Sequence, residues 1–163
     1  MQVFKMLFES NVKRVLMLTN HFYSPTKSFC RVDDKIINVL YNVFTSNKNC
    51  VISIKDVRQS GETTNLLAYA GVYSRVHCDK TVFYIVDNEG VARLLSAHMY
   101  GYGENISFVT AQHFDFIIRG RSDVGLVIVD SRVSNVSDII KHSRVLKDTQ
   151  FVISTDESNI KFI

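Results

Sequence analysis

The chain holds one stretch, Val57-Arg58-Gln59-Ser60-Gly61-Glu62-Thr63-Thr64, whose residue types and order suit phosphate chemistry. In a loop of the pattern GxxxxGK[ST], the glycine lets backbone N–H groups close around phosphates. The lysine neutralises the outer phosphates, and the hydroxyl holds Mg²⁺. Gly61 and Thr63 stand at the glycine and hydroxyl positions, but Glu62 stands where the lysine belongs. Two unit charges 4 Å apart interact by about 4 kcal/mol at an effective dielectric near 20, so exchanging attraction for repulsion weakens triphosphate binding by up to roughly twice that. Lys55 and Arg58 are the cations close by in sequence.

A second stretch, Asp123-Val-Gly-Leu-Val-Ile-Val-Asp130-Ser131, is an apolar run ending in an acid. An aspartate at the C-terminal end of a buried strand stands where α/β folds bind ligands and can orient a hydrated cation. The stretch resembles a Walker B strand, in which a following acid usually prepares the attacking water, and here that position is Ser131. Arg119 and Arg121 flank Gly120 in "IIRGRSD", a candidate contact to nucleic-acid phosphates.

Other reactive residues are poorly placed for chemistry. His77, Cys78 and Asp79 are consecutive, and adjacent residues on a short connection seldom converge on one metal. His21, His98, His113 and His142 lack HExxH spacing, and Tyr69, Tyr73, Tyr100 and Tyr102 read as packing groups. Cys30, Cys50 and Cys78 are an odd number without CxxC spacing, so no disulfide framework or zinc knuckle is indicated. No metal is expected.

The elements that must position these residues follow from hydrophobic patterning. "CVISIKDV", "TVFYIVD", "ISFVT", "VGLVIVD" and "TQFVISTD" are short β-branched runs bounded by Asp, Asn, Ser or Gly, with the near-continuous apolarity of strands buried on both faces. Between them, "TTNLLAYAGVYSRV", "NEGVARLLSAHMY" and "VSNVSDIIKHSRVL" repeat apolar residues every three or four positions. "VDDKIINVLYNVF" has the same spacing, whereas "VKRVLMLT" fits a strand or a helical turn equally. The alternation predicts a three-layer α/β domain with a mainly parallel central sheet. The Gly61 loop is expected at the end of the first core strand, and Asp130 at the end of a neighbouring one.

With 163 residues, 46% of them hydrophobic, the chain suits a single domain over 1–163, comprising a lead-in at 1–49 and core strands and crossover helices at 50–157. Its apolar runs are too short to cross a bilayer, and charges interrupt any leader-like core near Met1, so a soluble, cytoplasmic protein is expected. Residues 1–60 carry nine basic against four acidic side chains, and the remainder ten against twelve. An acidic partner would meet the N-terminal end.

Taken together, these motifs resemble the ATPase domain of the large terminase subunit, the P-loop DNA-packaging motor of tailed bacteriophages. That family often carries R-Q-S-G-K-T-T, reaches its Walker B strand through R-G-x-x-x-D, and ends its next strand in S-T-P. This chain has Arg58-Gln59-Ser60-Gly61-Glu62-Thr63-Thr64, "RGRSDVGLVIVDS" and "FVISTDE" in the same order over about residues 28–157. The resemblance implies that Arg58 is the loop arginine, Thr63 the Mg²⁺ hydroxyl, Asp130 the Walker B aspartate, and Ser154 and Thr155 the coupling motif. It also exposes departures: Glu62 for lysine, Ser131 for the catalytic acid, Asp156 for the proline, and Asp33 nearest to the adenine-contacting glutamine. The implied protein is a catalytically degenerate, phage-encoded domain without a cofactor, binding DNA or a host or phage protein and modulating host transcription or DNA processes. The alternative is an active packaging or translocation ATPase using Mg-ATP, with Lys55 or Arg58 and a partner chain completing the site.

Overall fold

The computed structural model describes residues 1–18, 34–53, 62–103 and 105–155. Five strands, β1 (Cys50–Ser53), β2 (Thr81–Val86), β3 (Ile106–Thr110), β4 (Val124–Val129) and β5 (Gln150–Thr155), form one all-parallel sheet in the order β1-β5-β4-β2-β3. Helices flank it: α1 (Gln2–Leu18), α2 (Asp34–Ser46), α3 (Glu62–Val76), α4 (Glu89–His98), α5 (Ala111–Ile117) and α6 (Val136–Ile140), which runs into a 3₁₀ turn at Lys141–Arg144. The expected α/β architecture is present, and each strand-like run contains one of the five strands.

Strand alternation builds two cores. Val82, Tyr84, Val86, Leu126, Ile128 and Val152 face a cluster with α1 to α4, while Phe83, Ile85, Val127, Val129, Phe151 and Ile153 face α5 and α6. The α3 stretch from Asn65 to Ser74 is buried throughout, because α3 lies between the sheet and α1. In α1, Phe4, Phe8, Val12 and Val15 recur at helical spacing and pack inward. The ambiguous "VKRVLMLT" is therefore largely the second half of a helix. Two helix starts are fixed by side chains: Asn88 Oδ1 accepts from the Val91 amide at 2.9 Å, and Thr110 Oγ1 accepts from the His113 amide at 3.3 Å.

The strand order determines where a site can form. The chain runs outward from β1 to β2 and β3 with α3 and α4 on one face, then returns through β4 to β5 with α5 and α6 on the other. That change of face is what right-handed crossovers require when direction reverses. The adjacent strands β2 and β4 consequently lead into helices on opposite faces, which opens a crevice at their C-terminal ends. Asp130 lies there. The strand beside β1 is β5 and not β4, so Asp130 stands two strands from β1 instead of on its neighbour. Motif order gave the end of the sheet correctly but not the spacing across it.

Candidate functional site at the C-terminal edge of the sheet

Asp130 immediately follows β4 and is only 6% exposed. Its Oδ2 accepts from Thr63 Oγ1 at 3.3 Å and from Tyr84 Oη at 3.0 Å, and its Oδ1 accepts from the Arg132 amide at 3.2 Å. The Asp130 amide donates to Ile85 O at 3.0 Å, fastening the end of β4 to β2. Thr63 arrives from the first turn of α3, which Glu62 opens, and Thr64 is half-buried beside it. Two motifs 67 residues apart thus meet in one hydrogen bond. A buried carboxylate needs hydrogen-bond partners, and three donors supply them here.

Ser154 and Thr155 end β5 and are buried. Val129 pairs with Ile153 in register, so Ser154 lies one step on, level with Asp130. The Ser154 hydroxyl is wholly buried and has no hydrogen-bond partner among the described residues. Ser131 is half-buried in the turn after Asp130. Lys55, Arg58, Gln59, Ser60, Gly61, Asp33 and Asp156 lie outside the described residues, as do His21 and Cys30.

Arg119 and Arg121 occupy the other end of the sheet, before β4 begins. A six-residue strand is about 20 Å long, so the two candidate sites are separated by the length of β4. Arg121 makes a two-pronged pair with Asp123 at 2.9 and 2.6 Å, donates to Thr81 Oγ1 at 3.1 Å, and sits 5.2 Å from the centre of the Phe83 ring. The Arg121 hydrogen bonds, followed by that from Thr81, hold the Asp123 carboxyl far below the usual carboxylate range. Arg119 is more available: its side chain is 73% exposed and only loosely paired with Asp115 at 3.5 Å.

The remaining candidates are structural in their surroundings. Tyr69, Tyr73 and Tyr102 are buried and donate to Gln150, Gly125 O and Leu67 O, whereas Tyr100 is 89% exposed. His142 lies 2.7 Å from Asp115, a pairing across 27 residues that its sequence neighbourhood does not reveal. That hydrogen bond lowers the Asp115 carboxyl. Among the described residues no group of three or more His, Cys, Asp or Glu could hold a metal, and no helix is long and apolar enough to cross a membrane.

No family model, curated protein or solved structure matches this chain. Sequence reasoning missed Tyr84, whose partner is set by the pairing of β2 with β4, and the Arg132 amide, whose partner is set by the turn after Asp130. The only signal for Tyr84 was a hydroxyl within an otherwise apolar strand.

Proposed function

We propose that this chain is a terminase-like P-loop domain that has lost ATP hydrolysis and acts as a binding module for DNA or a protein, in the manner of a phage-encoded modulator of host transcription or DNA processes. The observation that carries the reading is the hydrogen bond between Thr63 and Asp130, the two residues at the hydroxyl and aspartate positions of the motifs. The parallel sheet supports it by setting Thr63, Asp130 and Ser154 at one edge. Against catalysis stand Glu62, which opposes a triphosphate's charge, and Ser131, which cannot serve as the acid that prepares water.

Calorimetry and phosphate release test the lost activity. The unmodified protein is expected neither to bind Mg-ATP tightly nor to hydrolyse it. Glu62→Lys is expected to gain nucleotide affinity, by up to several kcal/mol if the cation reaches the phosphates, whereas Ser131→Glu alone gains none. Micromolar ATP affinity in the unmodified chain, abolished by Lys55→Ala, would instead establish a relocated cation and a working loop.

Fluorescence anisotropy on duplex DNA separates the two kinds of partner. If DNA is bound, affinity should be weak, indifferent to sequence and steeply reduced by salt, because phosphate contacts from Lys and Arg release counterions. Arg119→Ala should weaken it more than Arg121→Ala, since Arg121 is already engaged with Asp123. Absence of binding at low salt removes DNA and leaves a protein partner.

A further inference from the structure

We infer that Thr63, Asp130 and Tyr84 form a hydrogen-bonded clamp that fastens α3 to β2 and β4 without a metal, and that Tyr84 is the residue that converts Asp130 to this role. The inference rests on the proposed reading only in taking Asp130 to stand where related motors orient a hydrated cation. A carboxylate offers about four acceptor positions. Here the two on Oδ2 are taken by Tyr84 at 3.0 Å and Thr63 at 3.3 Å, and one on Oδ1 by the Arg132 amide at 3.2 Å.

Among the described residues this leaves a single position open, on an acid that is 6% exposed. A hydrated divalent cation brings several waters that need acceptors, so it fits this donor-filled carboxylate poorly. Tyr84 itself is fully buried in β2, within the core cluster shared with α1 to α4 and with its ring against Phe108, so its hydroxyl cannot swing aside without disturbing the core. The three donors come from α3, β2 and the turn after β4. Asp130 therefore joins elements that are distant in sequence, which is the work a structural acceptor performs.

A double-mutant cycle on the full chain tests the clamp. Urea unfolding of the unmodified protein, Tyr84→Phe, Asp130→Ala and the double variant should reveal coupling. Tyr84→Phe is expected to lower the folding equilibrium constant roughly ten-fold or more in the native background, and far less in the Asp130→Ala background, where the hydroxyl has no carboxylate to donate to. Additive effects overturn the proposal. Titration of the unmodified chain with millimolar Mg²⁺ and Mn²⁺ asks the same question without relying on a variant that folds. Unchanged unfolding midpoints support the clamp, and a metal-dependent rise overturns it. Neither measurement involves nucleotide, so failure of the clamp is distinct from failure of Glu62→Lys to gain ATP.

Discussion

Replacing Gln150 with leucine is expected to destabilise the protein by about 2–5 kcal/mol, because it leaves several buried polar groups without partners. Gln150 is 1% exposed at the start of β5. Its Nε2 donates to Val43 O at 2.6 Å and Lys48 O at 3.2 Å, and its Oε1 accepts from Tyr69 Oη at 2.6 Å. One amide thus ties the end of α2, the turn into β1, and α3 to the sheet. Leucine fills similar space, so the loss measures polar groups and not a cavity. Tyr69→Phe offers a check by chemical logic: it should destabilise the native chain, yet be neutral or stabilising in the Gln150→Leu background, where its hydroxyl has already lost its acceptor. Urea unfolding with unchanged m-values reads both effects, and a Gln150→Leu loss below about 1 kcal/mol would refute the account.

Gly71→Ala is expected to destabilise by about 2–4 kcal/mol, opposite in sign to helix propensity, which favours alanine by about 1 kcal/mol in a helix interior. A Cβ at position 71 would lie 2.2 Å from Tyr102 Oη, 2.5 Å from its Cζ and 2.9 Å from Asn11 Nδ2. Tyr102 cannot easily retreat. Its hydroxyl donates to Leu67 O at 2.8 Å, and Arg14 covers its ring while donating to Gly101 O at 3.0 Å. Asn11 meanwhile donates to Ala68 O at 3.3 Å, joining α1 to α3. In a Tyr102→Ala background most of the obstruction is gone, and Gly71→Ala should approach neutrality. A stabilising Gly71→Ala in the native background would show that the close approach carries no energetic weight.

Much of the fold was legible because its strands are buried on both faces and bounded by breakers. Runs such as "TVFYIVD" and "VGLVIVD" have no other economical reading between helical stretches. The helices were legible where their apolar spacing persisted over three turns, as in α3 and α4. It failed for α5, whose seven residues are too few for a period and whose Phe114 is buried while Phe116 is 70% exposed. It also missed the break in "VSNVSDIIKHSRVL", where only Val136–Ile140 is α-helical before the chain tightens into a 3₁₀ turn.

The site was legible in parts. Thr63 and Asp130 could be named because hydroxyl and acid fall at the ends of recognisable elements. Tyr84 could not, since its partner depends on β2 lying beside β4 although β3 comes between them in sequence. The engagement of Arg121 was hidden for a related reason. Asp123 is two residues away, but Thr81 and Phe83 reach it only through that same strand pairing.

The insertion of β5 between β1 and β4 also sets a timetable for the newborn chain. Among the described residues β1 has no strand partner except β5, and Cys50 pairs with Val152. At a synthesis rate of about 5–20 residues per second, β1 waits roughly 5–20 s after leaving the ribosome for its partner to be made. The trio β3-β2-β4 can pair earlier, so the centre of the sheet is assembled while the corner formed by α2 and β1 still lacks the Gln150 amide that secures it. During that interval β1 presents unpaired backbone to whatever strand, chaperone or sister chain arrives first.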